Sequence, residues 1–228
     1  MMILGGYQME KLNHSNDECW FIDTCERDDC NGCARYIQLK WQFDNSGLPK
    51  AKYKPFRLTP PDCDYDAFKR LAYIKSDIGN FVEDGSNLYL CSNYTGNGKT
   101  SWAIKMLQSY LNLMADGNYE HLMGMYISTS NLLLHLKDFN NPVSKAFKDN
   151  LETVDLVVWD DIAISGLSNY DYQQLYSIID SRILSEKANI FTCNHTTLEG
   201  LAKVLGNRLA SRIYNTSEII ELKGGDRR

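Results

Sequence analysis

Leu88-Tyr-Leu-Cys-Ser-Asn-Tyr-Thr-Gly-Asn-Gly-Lys-Thr-Ser101 runs from an apolar, strand-like segment into a small loop and out into a helix. The helical pattern is carried by Trp102, Ala103, Met106, Leu107 and Tyr110. Strand, Gly-containing loop and a helix that opens on Lys-Thr is the layout of a phosphate cradle. The loop's backbone N–H groups and the helix N-terminus converge on one spot and favour a polyanion there. Thr95, Gly96, Asn97, Gly98, Lys99, Thr100 and Ser101 are therefore the expected nucleotide contacts. Lys99 is placed to reach the β- and γ-phosphates, and Thr100 to put its hydroxyl on Mg²⁺. One position departs from the strict pattern G-x-x-x-x-G-K-[ST]: Asn93 stands where the first glycine is expected. Asn tolerates a left-handed backbone better than most residues, so the turn is expected to survive.

Working outward, the 228 residues are enough for one α/β domain and a small accessory module. The net charge of -5 gives no global basic field of the kind that draws a protein to nucleic acid. Any DNA contact must then come from a local patch or from assembly. No apolar run approaches the roughly 20 residues that span a bilayer. The start Met1-Met-Ile-Leu-Gly-Gly lacks the basic and apolar regions of a signal peptide. Seven cysteines, an odd number, then argue for thiols and metal ligands over disulfides. A cytoplasmic protein is expected, with no membrane partner.

Four of the five prolines fall at Pro49, Pro55, Pro60 and Pro61, among Lys50, Lys52, Lys54 and Arg57. Residues 46–64 read as an extended linker between a Cys-rich module over 1–45 and a nucleotide-binding domain over 65–228. Apolar spacing predicts a helix over 65–81. Strands are predicted at 87–92, 123–128, 154–159, 189–193 and 217–222. Helices are predicted at 99–115, 130–137 with 142–151, 170–186 and 197–214. This alternation gives an α/β fold, a parallel sheet between helices.

The strand Val154-Asp-Leu-Val-Val-Trp ends in Asp160-Asp161. Ligands in a parallel sheet sit at the carboxyl ends of strands, so these acids should face the phosphate loop. Asp160 is expected to hold Mg²⁺, and Asp161 to orient and polarise the attacking water. The next strand ends at Asn194, whose amide both donates and accepts and suits the γ-phosphate or the water. A helix cap is the alternative for Asn194. Farther on, Arg208 and Arg212 share one helix face at i and i+4. They are either solvated surface residues or guanidinium groups offered to a nucleotide held by a neighbouring subunit.

Together, Tyr94-Thr-Gly-Asn-Gly-Lys-Thr, Val157-Val-Trp-Asp-Asp-Ile, Leu175-Tyr-Ser-Ile-Ile-Asp-Ser-Arg182, Phe191-Thr-Cys-Asn194 and Asn207-Arg-Leu-Ala-Ser-Arg212 resemble the DnaC/DnaI-type helicase-loader branch of the AAA+ ATPases. The ending Glu221-Leu-Lys-Gly-Gly-Asp-Arg-Arg228 is similar to the tails of phage-encoded members, which would place the protein in a host cytoplasm. The resemblance implies an AAA+ P-loop core over 65–228 without a helical lid. It makes Lys99 and Thr100 the Walker A pair, Asp160 and Asp161 the Walker B pair, and Asn194 sensor 1. It puts Arg208 and Arg212 in the segment that supplies an arginine finger, with Arg212 the first choice and Arg182 a further candidate for a subunit boundary. It also implies ATP and Mg²⁺ as cofactors, assembly into a homo-oligomer, and a replicative helicase and single-stranded DNA as partners. Asp161 stands where many AAA+ enzymes have Glu, so slow turnover is expected.

Cys19-x₅-Cys25-x₄-Cys30-x₂-Cys33 packs four thiols into one short segment. Four thiolates can close a tetrahedral Zn²⁺ site, and metal binding would supply folding energy that so small a module lacks. An iron–sulfur cluster is the alternative. The resemblance adds that DnaI-type loaders carry a zinc-binding N-terminal domain that grips the helicase. Two other functions stay open on sequence grounds: a transposition helper of the IstB type, and a zinc-dependent nucleic-acid-binding adaptor whose P-loop binds nucleotide without turnover.

Overall fold

The structure, a computed structural model, describes residues 33–54, 56–117, 120–129, 131–132, 141–163 and 166–226. Its centre is a five-stranded sheet in the order β2-β3-β4-β1-β5. The strands are β1 (Asn87–Cys91), β2 (Gly124–Ser128), β3 (Leu156–Asp160), β4 (Ala188–Cys193) and β5 (Glu218–Glu221). Every neighbouring pair is parallel. Parallel strands need crossover helices on both faces, and so their sequences are apolar throughout. β1 and β4 are buried at every position.

Alternation along the strands divides the interior into two cores. Leu88, Leu90, Leu156 and Val158 face one side, with Phe68, Leu71, Trp102, Met106 and Leu107. That side is covered by α1 (Ala34–Asn45), α2 (Tyr65–Ser76), α3 (Ile78–Glu83) and α4 (Lys99–Met114). Tyr89, Val157, Trp159 and Phe191 face the other, with Leu175, Ile178, Leu209 and Ile213. It is covered by α5 (Pro142–Thr153), α6 (Asn169–Leu184) and α7 (Leu198–Asn215). The helix starts follow local chemistry. Asn141 caps α5 by accepting from Val143 N–H at 2.9 Å with Pro142 in the first turn, and Ser168 caps α6 by accepting from Asp171 N–H at 3.1 Å.

Three expectations change. The helix expected over 65–81 is two, broken at Asp77. The last helix bends at Gly206, whose φ of 74° is open to glycine and strained for other residues. The largest change is at the expected linker. The described residues of this region lie on the core: Leu39, Phe43 and Leu48 are buried in it, and Tyr53, Phe56 and Leu58 pack against it. Burying a side chain of this size contributes about 1.5–3 kcal/mol, which an extended linker would forgo. Gln42, 1% exposed, fixes the position by donating to His121 O and accepting from Met123 N–H, both at 2.9 Å. Among the described residues no helix is long and apolar enough to cross a membrane.

Candidate nucleotide site

The carboxyl ends of β1, β3 and β4 bring the sequence-predicted residues together. The loop after β1 turns on Gly96 at φ 70° and Gly98 at φ 105°, and α4 begins at Lys99. Asn93 does not have a positive φ, so this turn asks for no glycine at that position. The missing glycine is thus absorbed without strain. Asn97, expected among the nucleotide contacts, is 1% exposed and turns its side chain inward. Its amide donates to Ser92 Oγ and to Leu222 O (3.1 Å to the latter), tying the loop to the chain beyond β5. Thr95 lies in the loop, and Thr100 and Ser101 lie in the first turn of α4.

Lys99 Nζ donates to Tyr94 O at 2.8 Å and to Asn97 Oδ1 at 3.3 Å. Burial lowers its pKa, while Cys193 and Asp161 act the other way. A cation held by two carbonyl oxygens, at a desolvation cost, is suited to a buried polyanion.

Asp160 ends β3 and is the hub of the site. Its Oδ1 accepts from Thr100 Oγ1 at 2.7 Å and from Thr192 Oγ1 at 2.8 Å, and its Oδ2 accepts from Tyr126 OH at 2.6 Å. The Thr100 hydroxyl gives its hydrogen to the carboxylate, so its oxygen lone pairs remain to meet a cation. A hydroxyl and a carboxylate are the hard oxygen donors that Mg²⁺ selects, so these residues fit the metal that the fold implies.

Asp161 follows in a left-handed conformation, φ 53°, one of two non-glycine residues at positive φ among those described. Its N–H donates to Thr192 Oγ1 at 2.8 Å, and its carbonyl accepts from Thr129 Oγ1 at 2.9 Å. Pinned on both sides, this turn swings the Asp161 side chain toward Asn194, whose amide donates to Asp161 Oδ1 at 3.4 Å. Burial raises the Asp161 pKa, as does Asp160, while Lys99 and His195 pull it down. An unusual backbone at a perturbed carboxylate beside a phosphate loop is where a water-activating group is expected.

The arginines are elsewhere. Arg208 lies 4.3 Å above the Tyr176 ring, and Arg212 Nε lies 2.6 Å from Asp180 Oδ1, so both face α6. Both lie beyond the bend at Gly206, in the carboxyl-terminal part of α7. No hydrogen bond or ion pair among the described residues ties either of them to the loop after β1. Arg182 is corrected more sharply: at 1% exposure it cannot face a neighbour. Its guanidinium donates to Leu151 O, Val154 O and Ala188 O, each at 2.8 Å, and its Nε to Asn189 Oδ1 at 2.9 Å.

Sequence reasoning missed Thr192, Thr129 and Tyr126. Thr192 sits in the run Ile190-Phe-Thr-Cys, where a hydroxyl among apolar strand residues was the only available signal. Of the expected zinc ligands, Cys33 is half-buried at the start of α1, and Cys19, Cys25 and Cys30 lie outside the described residues.

No protein-family profile matches the sequence, and no curated protein does. Solved structures do. A DnaC helicase loader is similar with a TM-score of 0.60 and 22% identity, covering 80% of this chain and 99% of that one. DnaI gives 0.58 and 21%, covering 79% of this chain and 94% of that one. AMPPCP-bound DnaA from Aquifex aeolicus gives 0.55 and 19%, and the match spans 73% of this chain and 48% of that one. These likenesses show the fold, a five-stranded parallel α/β core like that of the DnaC structure.

Proposed function

We propose that this protein is an ATP-dependent loader that places a replicative hexameric helicase on single-stranded DNA, acting as a homo-oligomer. The observation that carries the ATPase part is the contact of Thr100 with Asp160 at 2.7 Å, with Lys99 opening the same helix and Asn194 against Asp161. Similarity over nearly the whole length of the DnaC structure supports the loader part. Lys99 and the loop N–H groups bind the polyphosphate. Thr100 and Asp160 would hold Mg²⁺, which when bound neutralises phosphate charge. Asp161 and Asn194 orient the attacking water, and Asp161 takes its proton.

Asp161→Asn separates binding from chemistry. The variant should bind ATP as the parent does, because Lys99, Thr100 and Asp160 are untouched. Its hydrolysis should fall about 10²–10⁴-fold with the loss of a positioned base. Phosphate release beside equilibrium binding checks both halves, and an Asp161→Asn protein with parental turnover removes Asp161 from the mechanism.

Arg212 is proposed to complete the site of the adjacent subunit once it leaves Asp180. Arg212→Ala should keep the monomer's ATP affinity and lower hydrolysis in the assembly by up to about 10³-fold, the lower range for a trans arginine. Parental turnover in the assembled variant would pass the role to Arg208.

Cys19, Cys25, Cys30 and Cys33 are proposed to hold one Zn²⁺ in the segment that grips the helicase. Metal analysis of the full chain should find about one zinc under the four-thiolate rule, lost in Cys30→Ser. Iron with visible absorption would mean a cluster instead. Because α1 belongs to the core, a truncation that tests helicase binding should end at residue 33. Affinity capture from producing cells with the full chain tests the whole reading. A replicative helicase is the expected catch, a transposase would make the protein an IstB-type helper, and nucleic acid alone would make it an adaptor.

A further inference from the structure

Tyr126 joins two parts of the molecule that the sequence keeps far apart. Its phenol donates to Asp160 Oδ2 at 2.6 Å, a length typical of a charge-assisted bond. The other carboxylate oxygen takes both threonine hydroxyls, and Thr192 is also engaged by Asp161 N–H. The rotation of the Asp160 carboxylate is therefore set from three directions: the phosphate-loop helix, β4 and β2. Only the β2 bond reaches Oδ2. A half-buried tyrosine can satisfy its hydroxyl with water, so burial alone does not demand this aim.

The backbone of the same residue is clamped from outside. β2 is an edge strand, and Tyr126 N–H on its open side donates to Ser46 O at 2.7 Å, just beyond the end of α1. Gly47 packs so closely here that a Cβ on it would stand 2.5 Å from Tyr126 O. Gln42 bonds His121 O and Met123 N–H, immediately before β2. Helix α1 thus grips the strand on both sides of its start, and α1 itself begins at the fourth cysteine, Cys33.

We infer that Tyr126 is a positioning residue for Asp160, and that through it the carboxylate's orientation depends on the seating of α1 against β2. The inference rests on the nucleotide-site reading above. A displacement of α1 would in this way reach the Tyr126 backbone and, through its phenol, the carboxylate that would hold Mg²⁺. The proposed nucleotide site is thereby made sensitive to whatever shifts α1 against β2.

The test measures binding of a fluorescent ADP analogue to the full chain, with Mg²⁺ and with EDTA, in four proteins: the parent, Tyr126→Phe, Gln42→Met and the double variant. Tyr126→Phe keeps the ring and removes the one hydrogen bond, and thermal melting confirms that each variant is folded. The parent should bind more tightly with Mg²⁺. Tyr126→Phe should lose about tenfold of that tightening, the scale of one charge-assisted hydrogen bond, while its affinity in EDTA stays within about twofold of the parent. Gln42→Met should lose less, and only from the Mg²⁺-dependent part. The double variant should lose no more than Tyr126→Phe alone, since both act through one bond. An unchanged Mg²⁺ response in Tyr126→Phe overturns the positioning role and leaves the nucleotide site standing. Additive losses in the double variant overturn the dependence on α1. A parent that binds no nucleotide under either condition removes the site reading and this inference with it.

Discussion

Replacing Lys99 with alanine is expected to abolish ATP binding at concentrations that saturate the parent protein. Lys99 is 8% exposed, and its ammonium is already desolvated, held by the carbonyl of Tyr94 and the amide oxygen of Asn97. Burial lowers its pKa, so the fold bears a cost to keep a cation here. A bound polyphosphate offsets that cost by giving the cation an anionic partner in a site shielded from water. Charged hydrogen bonds contribute about 1.5–3 kcal/mol each, and two such bonds correspond to a Kd raised by roughly 10²–10⁴-fold. Melting should change little, because the loop keeps its turns at Gly96 and Gly98 and its brace from Asn97 to Leu222. Calorimetric titration of parent and variant checks this. ATP bound as tightly by Lys99→Ala as by the parent would mean that the loop is not the phosphate site.

How much of this site the sequence disclosed depends on how local each signal is. Lys99, Thr100 and the loop glycines lie within a few residues of one another, and the strand before them and the helix after them show their own periodicities. Asp160 and Asp161 follow an apolar run, so a general rule about strand ends put them at the right edge of the sheet. That β4 lies between β1 and β3 is a matter of strand order, which no local pattern encodes. Thr192 and Tyr126 were therefore invisible: each reads as an ordinary β-former until the register sets it beside Asp160. The 46–64 segment misled for a related reason. Its prolines and lysines are real turn and solvent signals, but a few side chains, Leu48, Phe56 and Leu58 among them, suffice to lay it on the core. At Asn93 the turn forms as expected, and without a left-handed backbone, so the consensus glycine is not required there.

Arg182→Ala is expected to cost more stability than any other single change proposed for this chain, about 3–5 kcal/mol. Arginine on a helix ordinarily reads as a surface residue, and the resemblance placed Arg182 near a subunit boundary. The structure instead buries it at the amino-terminal edge of the sheet. There it collects the carbonyls of Leu151 and Val154 where α5 ends, the carbonyl of Ala188 where β4 begins, and the side chain of Asn189. Asn189 in turn accepts from Trp159 Nε1 at 3.0 Å, so the cluster links α5, α6, β3 and β4. A positive charge is favourable at the carboxyl end of a helix, and burial pulls the guanidinium pKa down only to about 9, which leaves it charged at neutral pH. Truncation would leave several buried acceptors without their donor and open a cavity in the interior. For a domain of this size the loss corresponds to a melting point lower by roughly 6–20 °C. Thermal melting of the variant decides between the two roles. A large drop assigns Arg182 to the interior of its own subunit. An Arg182→Ala protein that melts with the parent but loses ATP turnover only when assembled would return Arg182 to the subunit boundary.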